Sequence, residues 1–306
     1  MDVVGSTVFD VSIGAVLGFR LMKPAPFSYL RPGSLEDALT GLAQAGEEAK
    51  VLAGGQSLIP LMNFRLVRPA ILIDLNLLTE LASISEQDGH LVIGAMTRQS
   101  AAENSPIVRS GYALLAEAMR HIGHIQIRNR GTVGGSLAHA DPAAELPAVA
   151  LVLDAQIEAQ SPRGSRQIAA NDFFVGPFST SLAPDEILTA IRFEKREGWG
   201  QAFLEVARRN GDFALAGVAI SAQVAPDHRT LTDLAIGAFG VGPAALRLRS
   251  VEEVIRGVEL DERSLREAAI TASEEVDPSD DIHADVDYRR RLIGHLVRRA
   301  LEKVAA

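Results

Sequence analysis

The sequence predicts a protein that mixes helices and strands in about two domains. Its 306 residues suffice for two domains at roughly 100–200 residues each. In the first part, segments with the apolar spacing of helices alternate with short apolar runs that predict strands. In the second part, several predicted strands come first and predicted helices follow. A break at residues 197–201, where glycines flank the only tryptophan, separates the two parts.

The composition excludes several classes of function. Hydrophobic residues make up 47% of the chain and charged residues 23%, while the net charge is −9, which argues against nucleic acid or an anionic membrane as the main partner. An anionic ligand would need local backbone donors and cations. The absence of cysteine excludes disulfides, cysteine-ligated zinc, iron–sulfur clusters and thiolate nucleophiles within this chain.

The first 21 residues, MDVVGSTVFDVSIGAVLGFRL, are predicted to be an N-terminal extension. They are fairly apolar, but they include Asp2 and Asp10 and lack both a basic start and a long apolar run. They therefore resemble neither a signal peptide nor a membrane span. Met22 opens "MKPAPFSYLRP", which resembles a natural start of the protein.

A small unit with parallel strands is expected next. Ser34 begins "SLEDALTGLAQAG", a helix with Ser34 as N-cap, Asp37 at its third position and Gly46 beyond its end. "KVLAGG" predicts a short strand that runs into glycines, "SLIPLMNFRLV" a helical turn and "AILIDL" an apolar strand. A strand–loop–helix–strand unit of roughly 30 residues favours parallel pairing.

The remainder divides into a mixed region and a strand-then-helix region. "HLVIGAMT" predicts a strand, "VRSGYALLAEAMRHIG" a helix, and "LPAVALVLDAQIEAQ" a helix that leads into a strand. "QIAANDFFVGPFST" and "EILTAIRFEKRE" predict short strands and turns. After the break, "QAFLEVARR", "FALAGVAISAQVA" and "LTDLAIGAFGVG" predict strands joined by hairpin turns, and residues 250–306 are helical.

Two glycine-rich segments are the main candidates for a binding site. They are Ala53-Gly54-Gly55-Gln56-Ser57 and Thr132-Val133-Gly134-Gly135-Ser136, the second preceded by Arg128 and Arg130. Successive N–H groups in such a turn form a concave donor cluster for phosphate, and glycine permits positive φ angles and close approach of a ligand. Taken alone, either segment is as consistent with a tight turn as with a phosphate-binding loop. Two of them favour a diphosphate, and so a dinucleotide.

A Rossmann fingerprint is not the source of this signal. The nearest match, Gly240 to Ala245, lies late in the chain, and Pro243 occupies a position that should offer an N–H group. We interpret this segment as a turn that ends a strand.

Acidic residues follow the second glycine segment. Asp141-Pro142 could cap and begin a helix, or Pro147 could mark its start or a kink. A carboxylate would repel phosphate, so Glu145 should face hydroxyl groups if it contacts the ligand, such as those of a ribityl or ribose chain. A plain helix cap remains the alternative for Asp141.

Histidines and a basic pair are weaker candidates. His121 and His124 lie on an apolar stretch with no obvious carboxylate partner, and His139 is isolated, so we predict no metal site. Arg208 and Arg209 precede an Asn-Gly turn; they either form a solvated hairpin end or support a cofactor or partner.

Several segments together resemble one family. "MKPAPFSYLRPGSLEDAL", "AGGQSLIPLMNFRLVRPAILIDL", "IRNRGTVGGSLAHADPAAELP", "EVARRNGDFALAGVA" and "DIHADVDYRRRLIGHLVRRAL" are similar to the FAD-binding medium subunit of molybdenum hydroxylases, which include xanthine dehydrogenase and aerobic carbon monoxide dehydrogenase. The resemblance extends in order from about residue 22 to residue 306, and the motifs are specific only in combination.

The resemblance implies an α+β fold. Its FAD-binding domain, of the vanillyl-alcohol oxidase type, would span residues 22–197 as two α+β subdomains, about 22–77 and 78–197. A C-terminal flavoprotein domain with a small antiparallel sheet and a helix bundle would occupy residues 198–306.

The resemblance also implies residues that bind FAD noncovalently. The glycine segments would hold the pyrophosphate and nearby groups, Glu145 the sugar-alcohol chain, and Ile122 the flavin. Leu182 and Glu205 lie at positions that approach FAD in some relatives, although Glu205 replaces a frequent lysine. The full expected set is Ala53, Gly54, Gly55, Gln56, Ser57, Leu58, Ile122, Thr132, Val133, Gly134, Gly135, Ser136, Asp141, Glu145, Leu182 and Glu205.

Finally, the resemblance implies an electron-transfer role in a complex. A large subunit would carry the molybdopterin cofactor and a small subunit the [2Fe-2S] clusters, which a chain without cysteine cannot hold. FAD would receive electrons from the clusters and pass them to an external acceptor, so no catalytic residue for the organic substrate and no metal ligand is expected here. We expect a cytoplasmic dimer of heterotrimers that binds no nucleic acid and spans no membrane.

Two other functions are possible alternatives. A self-sufficient FAD-dependent oxidase or dehydrogenase needs a substrate pocket over the flavin, usually with aromatic or basic clusters, and an aromatic content of 5% argues against it. A non-catalytic nucleotide-binding or assembly protein should lack the glycine segments, yet both are present.

Overall fold

The computed structural model describes residues 22–305, so the extension expected over residues 1–21 lies outside the described part. In chain order the strands are β1 (Ser28–Leu30), β2 (Ala49–Leu52), β3 (Ile71–Asp74), β4 (Ile84–Gln87), β5 (His90–Gly94), β6 (Gln156–Ser161), β7 (Gly164–Ala169), β8 (Phe174–Gly176), β9 (Ser179–Thr180), β10 (Ile187–Glu194), β11 (Gly200–Ala207), β12 (Ala214–Val224), β13 (Leu231–Phe239) and β14 (Leu246–Arg247). The helices are α1 (Leu35–Ala45), α2 (Leu58–Asn63), α3 (Gln99–Asn104), α4 (Pro106–Gly111), α5 (Ala113–His121), α6 (Ile125–Arg128), α7 (Val133–His139), α8 (Glu145–Val152), α9 (Ala170–Phe173), α10 (Arg249–Ile255), α11 (Glu262–Glu275) and α12 (Val286–Ala305).

The first unit is a three-stranded parallel sheet in the order β1-β3-β2. Helix α1 begins and ends where the sequence predicts: the Ser34 hydroxyl accepts from the Asp37 N–H at 3.1 Å, and Gly46 ends the helix with a φ of +56°. Leu39 and Leu42 of α1 are buried with the sheet residues. The parallel pairing expected for this unit is therefore confirmed.

The second unit is a five-stranded antiparallel sheet in the order β4-β5-β10-β6-β7, packed with α3 to α9. The helix predicted for residues 108–123 is divided, because the backbone of Tyr112 leaves the helical region at φ −137°. The glycine segment after residue 131, expected as a turn, instead forms the first turns of α7.

Helix α8 lies between the second unit and the C-terminal sheet. It contacts α5 on one side and β12 and β13 on the other, and all of its residues, Glu145 included, are buried. A helix that is apolar on every side is expected where two layers enclose it. Its position makes the seam between the two parts of the chain a continuous core.

The C-terminal sheet is antiparallel in the order β11-β12-β13-β14, as the predicted hairpins require. Side chains alternate between its faces: Phe203 of β11 packs in the core shared with α5 and α8, whereas Ala202 packs in a second core with α10, α11 and α12. Both faces are therefore covered. The Gly240 segment is the strand-ending turn predicted for it, with a φ of +74°.

One arginine of α12 is buried. Arg289 is 6% exposed, and its Nη1 donates to the carbonyl oxygens of Leu215 at 2.6 Å and Gly240 at 2.9 Å. Its Nη2 bonds Asp281 at 2.6 Å. This arginine ties the last helix to the sheet. Across residues 22–305, no helix has the length and hydrophobicity needed to cross a bilayer.

Candidate functional site

The first glycine segment is an open turn at the carboxyl end of β2. It connects β2 to α2, and Gly55 has a φ of +74°, which favours glycine. None of the backbone N–H groups from Gly54 to Leu58 donates to an acceptor elsewhere in residues 22–305. A row of unsatisfied backbone donors, of which Gln56 and Ser57 lie on exposed residues, matches the cluster that the sequence predicts for this segment, and such a cluster can bind an anion.

The second glycine segment is closed. The N–H groups of Val133 and Gly134 donate to the carbonyl oxygens of Thr97 at 3.0 Å and Ala95 at 2.9 Å. The Gly135 N–H donates to the Thr132 hydroxyl at 3.0 Å, as in an N-cap. The expectation of a second cluster of free backbone donors is thus wrong for this segment, because it begins α7 and pairs with a neighbouring chain segment.

The two segments nevertheless meet, and their glycines allow the contact. A Cβ on Gly54 would lie 2.3 Å from the Arg130 carbonyl oxygen, and one on Gly135 would lie 3.3 Å from Ala53 Cβ. A Cβ on Gly134 would lie 2.5 Å from Ala95 Cβ. The sequence attributes these glycines to close approach of a ligand, but in the structure they permit close approach of protein to protein.

A cleft of about 350 Å³ opens beside the first segment. Its lining includes Gly54, Gly55, Gln56, Asn76 and Arg130. The Arg130 side chain makes no hydrogen bond or ion pair with residues 22–305, so its positive charge is available beside the free N–H groups. The preceding arginine differs: Arg128 bonds Glu103 at 2.8 Å and the Ile122 carbonyl at 3.0 Å, and it anchors the loop.

A polar network that the sequence did not reveal joins the two segments. Arg98 donates through Nη1 to the Arg130 carbonyl at 2.5 Å and through Nη2 to Asn76 Oδ1 at 2.6 Å. Asn76 Nδ2 in turn donates to the Ala53 carbonyl at 2.9 Å. Burial, together with the charge of Arg130, lowers the pKa of the Arg98 guanidinium.

The far side of this network rests on β1 and β3. Asp74 Oδ1 accepts from the Asn76 N–H at 2.8 Å, and its Oδ2 accepts from the Tyr29 hydroxyl. Burial and the Asp74 contact raise the pKa of Tyr29 to about 12, so this hydroxyl stays protonated as a donor. Because Tyr29, Asp74 and Arg98 are far apart in sequence, no local pattern could have revealed their association.

Of the two helix starts that the sequence suggested, the one at Asp141-Pro142 is wrong and the one near Pro147 is close to the observed start. Helix α8 begins at Glu145 with Ala144 at its N-cap, and Pro147 occupies its first turn, where its missing N–H has no effect. Asp141 caps a turn instead, since its Oδ1 accepts from the Ala143 N–H at 2.9 Å. Chain reversal at Ala140, whose φ is +50°, separates α7 from this turn.

Glu145 and Glu205 are buried carboxyl groups at the seam between the two parts. Burial raises the pKa of Glu145 to about 8, and the nearby charges of Glu205 and Asp141 add to this effect. Glu205 has a side-chain exposure of 6%, and its Oε2 has no hydrogen-bond partner in the described chain. A cofactor with hydroxyl groups would satisfy such oxygens.

A histidine lies beside this acid pair. His121 Nδ1 is 3.5 Å from Glu205 Oε1, and His121 Nε2 is 4.0 Å from Glu117 Oε1. The expectation that His121 lacks a carboxylate partner is therefore wrong, because its partner comes from a strand more than eighty residues later in the chain. His124 contacts the turn at Gly211 instead. No cluster of three metal-ligating side chains occurs in residues 22–305.

The remaining expected residues lie in the same core. Ile122 ends α5 and is 8% exposed, and Leu182 is half-buried against the core cluster that contains Phe203. The structure thus brings Ile122, Leu182 and Glu145 to one core, while the first glycine segment lies at the edge of the parallel sheet. An elongated ligand would be needed to contact both regions.

Comparison with known proteins identifies the family. Residues 25–193 match the model described as the FAD binding domain in molybdopterin dehydrogenase, and residues 201–304 match that of the CO dehydrogenase flavoprotein C-terminal domain. The chain is 41% identical to the nicotine 6-hydroxylase medium subunit of Paenarthrobacter nicotinovorans over 93% of this chain and 99% of that protein.

It is also 37% identical to the carbon monoxide dehydrogenase medium chain of Hydrogenophaga pseudoflava, over 92% of this chain and 97% of that one. A solved carbon monoxide dehydrogenase structure from Hydrogenophaga pseudoflava superposes with a TM-score of 0.89 at 37% identity, covering 92% of this chain and 98% of that chain. The quinoline 2-oxidoreductase structure from Pseudomonas putida 86 gives 0.87 at 35%, with the same coverage of both chains. The α+β fold expected from the resemblance is therefore confirmed, and the chain belongs to the family of FAD-binding medium subunits of molybdenum hydroxylases.

Proposed function

We propose that the FAD pyrophosphate binds at the first glycine segment. The observation that carries this proposal is the row of N–H groups from Gly54 to Leu58, which have no acceptor within residues 22–305, beside the Arg130 guanidinium, which makes no ion pair within the same residues. Backbone donors and a cation are the groups that a diphosphate needs. The second segment supports this site through its contacts, since its own N–H groups are used within the protein.

The rest of FAD extends from there to the seam. Glu145 and Asp141 face the hydroxyl-bearing part of the cofactor, Ile122 and Leu182 pack against its apolar ring system, and Glu205 completes the acidic side. The full proposed set is that expected from the sequence, namely Ala53, Gly54, Gly55, Gln56, Ser57, Leu58, Ile122, Thr132, Val133, Gly134, Gly135, Ser136, Asp141, Glu145, Leu182 and Glu205. FAD supplies the redox chemistry when bound, and these residues bind and orient it.

The chain acts within a larger complex in this proposal. A small subunit with [2Fe-2S] clusters delivers electrons, a large subunit with a molybdopterin cofactor oxidises the organic substrate, and FAD passes the electrons to an external acceptor. A chain without cysteine has no thiolates for such clusters. We place this complex in the cytoplasm, as a dimer of heterotrimers, and we assign residues 22–197 to FAD binding and 198–306 to the C-terminal domain.

The test is to purify the chain alone and with its partner subunits and to identify the released flavin. FAD should bind and FMN should not, because only FAD offers a pyrophosphate. Arg130→Gln should weaken FAD binding roughly 10- to 150-fold, as expected for loss of a charge-assisted hydrogen bond of about 1.5–3 kcal/mol. Arg299→Gln, at an exposed position of α12, is the matched control.

Two results would overturn the proposal. If both the isolated chain and the complex lack flavin, the chain does not bind FAD. If the isolated chain holds FAD and oxidises an organic substrate unaided, it is a self-sufficient enzyme instead. Equal affinity for FAD in Arg130→Gln and Arg299→Gln would refute the placement of the pyrophosphate alone.

A further inference from the structure

A patch of apolar and cationic side chains lies where α2 ends. Phe64 and Leu66 are 63% and 71% exposed, and Met22 is 64% exposed. We propose that residues 1–21 of this chain bind to this patch and cover it. The α2 patch is defined by three apolar residues and three cations, namely Met22, Phe64, Leu66, Lys23, Arg65 and Arg68. The inference goes beyond the proposed function, because the cofactor cleft is lined by other residues.

The turn that presents the patch is ordered by hydrogen bonds. The Arg65 N–H donates to the Met62 carbonyl oxygen at 2.9 Å, and the Leu66 N–H donates to the Leu61 carbonyl oxygen at 2.9 Å. These two bonds define a Schellman motif, which ends a helix with one residue in the left-handed region. Phe64 and Leu66 are therefore exposed on a fixed turn that follows α2.

Two features of this turn are unfavourable for a surface that faces only water. Arg65 has a φ of +59°, at the position that glycine usually occupies in this motif. Leu66 is the residue that often packs back onto the helix in such a motif, yet most of its surface is exposed. Adjoining exposed apolar side chains mark a surface that another chain segment or protein covers.

The cations of the patch are not neutralised within the described chain. Arg65 Nε donates to the Lys23 carbonyl oxygen at 3.2 Å, and Arg68 Nε donates to the Arg65 carbonyl oxygen at 3.1 Å. The ion pairs found in residues 22–305 involve other cations. In a chain with a net charge of −9, a local cluster of three cations favours an occupant that carries carboxylates.

The position of residues 1–21 places them at the patch. The hydrogen bond between Arg65 and the Lys23 carbonyl oxygen holds the start of the described chain against the turn, so the segment leaves from Met22, within the patch itself. Twenty-one residues span at most about 70 Å when extended, which is ample to cover a turn of a few residues. Attachment to the patch also gives the segment a high local concentration there.

The composition of residues 1–21 matches the patch. More than half of them are apolar, including Val8, Phe9 and Val11, and they contain the carboxylates Asp2 and Asp10. Apolar side chains can cover Phe64 and Leu66, while the carboxylates face the three cations. The segment thus supplies both kinds of group that the patch requires.

The experiment measures how accessible the patch is with and without the segment. The chain has no cysteine, so Leu66→Cys introduces a single thiol whose reaction with a water-soluble thiol reagent reports its exposure. The reaction should be at least about tenfold slower in the full chain than in a chain that begins at Met22, which corresponds to about 1.4 kcal/mol of binding free energy. The shorter chain is a suitable reference because the family match begins at residue 25.

Ile282→Cys is the matched control, at a position of the C-terminal domain that is 94% exposed. Its reaction rate should be the same in the two chains. A second set of variants keeps the full length. Phe9→Ser combined with Val11→Ser should raise the reaction rate of Leu66→Cys to that of the shorter chain, whereas Ser6→Ala combined with Ser12→Ala should leave it unchanged.

Several results would overturn the proposal. Equal reaction rates of Leu66→Cys in the full and the shorter chain would show that residues 1–21 do not cover the patch. Protection that depends on protein concentration in both chains would assign the patch to a second copy, and protection that requires the partner subunits would assign it to one of them. A protein isolated from its native cells that begins at Met22 would overturn the proposal as well. FAD takes no part in these measurements, so their outcome is independent of the proposed function.

Discussion

Gly54 is the residue whose substitution tests most directly how the two glycine segments meet. A Cβ at this position would lie 2.3 Å from the Arg130 carbonyl oxygen and 2.8 Å from Gly131 Cα. Both neighbours are backbone atoms, so no side-chain rotation can relieve the contact in Gly54→Ala. The first segment must move away from the second, and its row of N–H groups moves with it.

The magnitude follows from the kind of contact. Overpacking of a closely fitted site costs about 1–3 kcal/mol, which should lower the melting temperature by a few degrees in a chain of this size. Loss of one hydrogen bond to a charged phosphate costs about 1.5–3 kcal/mol, so FAD binding should weaken about tenfold or more. Thermal unfolding and titration of flavin fluorescence measure the two effects separately.

Gly33→Ala is the matched control, because a Cβ there would meet nothing within 4 Å. If Gly54→Ala matches Gly33→Ala in both melting temperature and FAD affinity, the two segments are not in the contact described. If stability falls but affinity stays, the first segment does not hold the pyrophosphate.

Three further predictions follow from buried polar groups. Arg98→Met should weaken FAD binding by about 2 kcal/mol, measured by titration. Arg98→Lys should restore the affinity only in part, because an ammonium cannot make the two parallel hydrogen bonds of a guanidinium. Unchanged FAD affinity in Arg98→Met would contradict a role for the network in binding. The pKa of Glu145 is raised to about 8 in the folded state, from 4.5 without the fold. Between these pH values the folded state holds a proton that the unfolded state has released, so the free energy of unfolding falls as pH rises, by at most about 1.4 kcal/mol per pH unit. Glu145→Gln should flatten this pH dependence in urea unfolding, and an unchanged slope would show that Glu145 titrates normally. Arg289→Met should lower the free energy of unfolding in urea by about 3 kcal/mol, because it leaves two carbonyl oxygens unpaired. Arg298→Met, which removes an exposed ion pair, should lower it by at most about 1 kcal/mol. Equal losses in the two variants would refute this distinction.

Local signals predicted much of the fold. The Ser34 cap, the parallel unit around the first glycine segment and the antiparallel hairpins of the C-terminal sheet all lie where the sequence places them. Each depends on residues that are near one another in the chain, such as a capping hydroxyl, alternating apolar side chains or a turn glycine. The family resemblance added the order of the domains and the cofactor.

The second glycine segment shows where such reasoning stops. From its letters, Thr132 to Ser136 resembles the first segment, and both were expected to present free N–H groups. The difference comes from Ala95 and Thr97, whose carbonyl oxygens accept the N–H groups of Gly134 and Val133. Only the packing of a distant chain segment decides whether a glycine-rich turn is open or closed.

The sequence by itself determined most of the helices and strands and the positions of the two glycine segments, because these depend on local backbone preferences and on the spacing of apolar residues. The tertiary structure decided the rest of the site: that Arg98 joins the segments, that His121 lies beside Glu205, and that burial gives Glu145 a raised pKa. Solvent exposure and electrostatic neighbours depend on contacts between residues far apart in the chain. No short stretch of sequence contains that information.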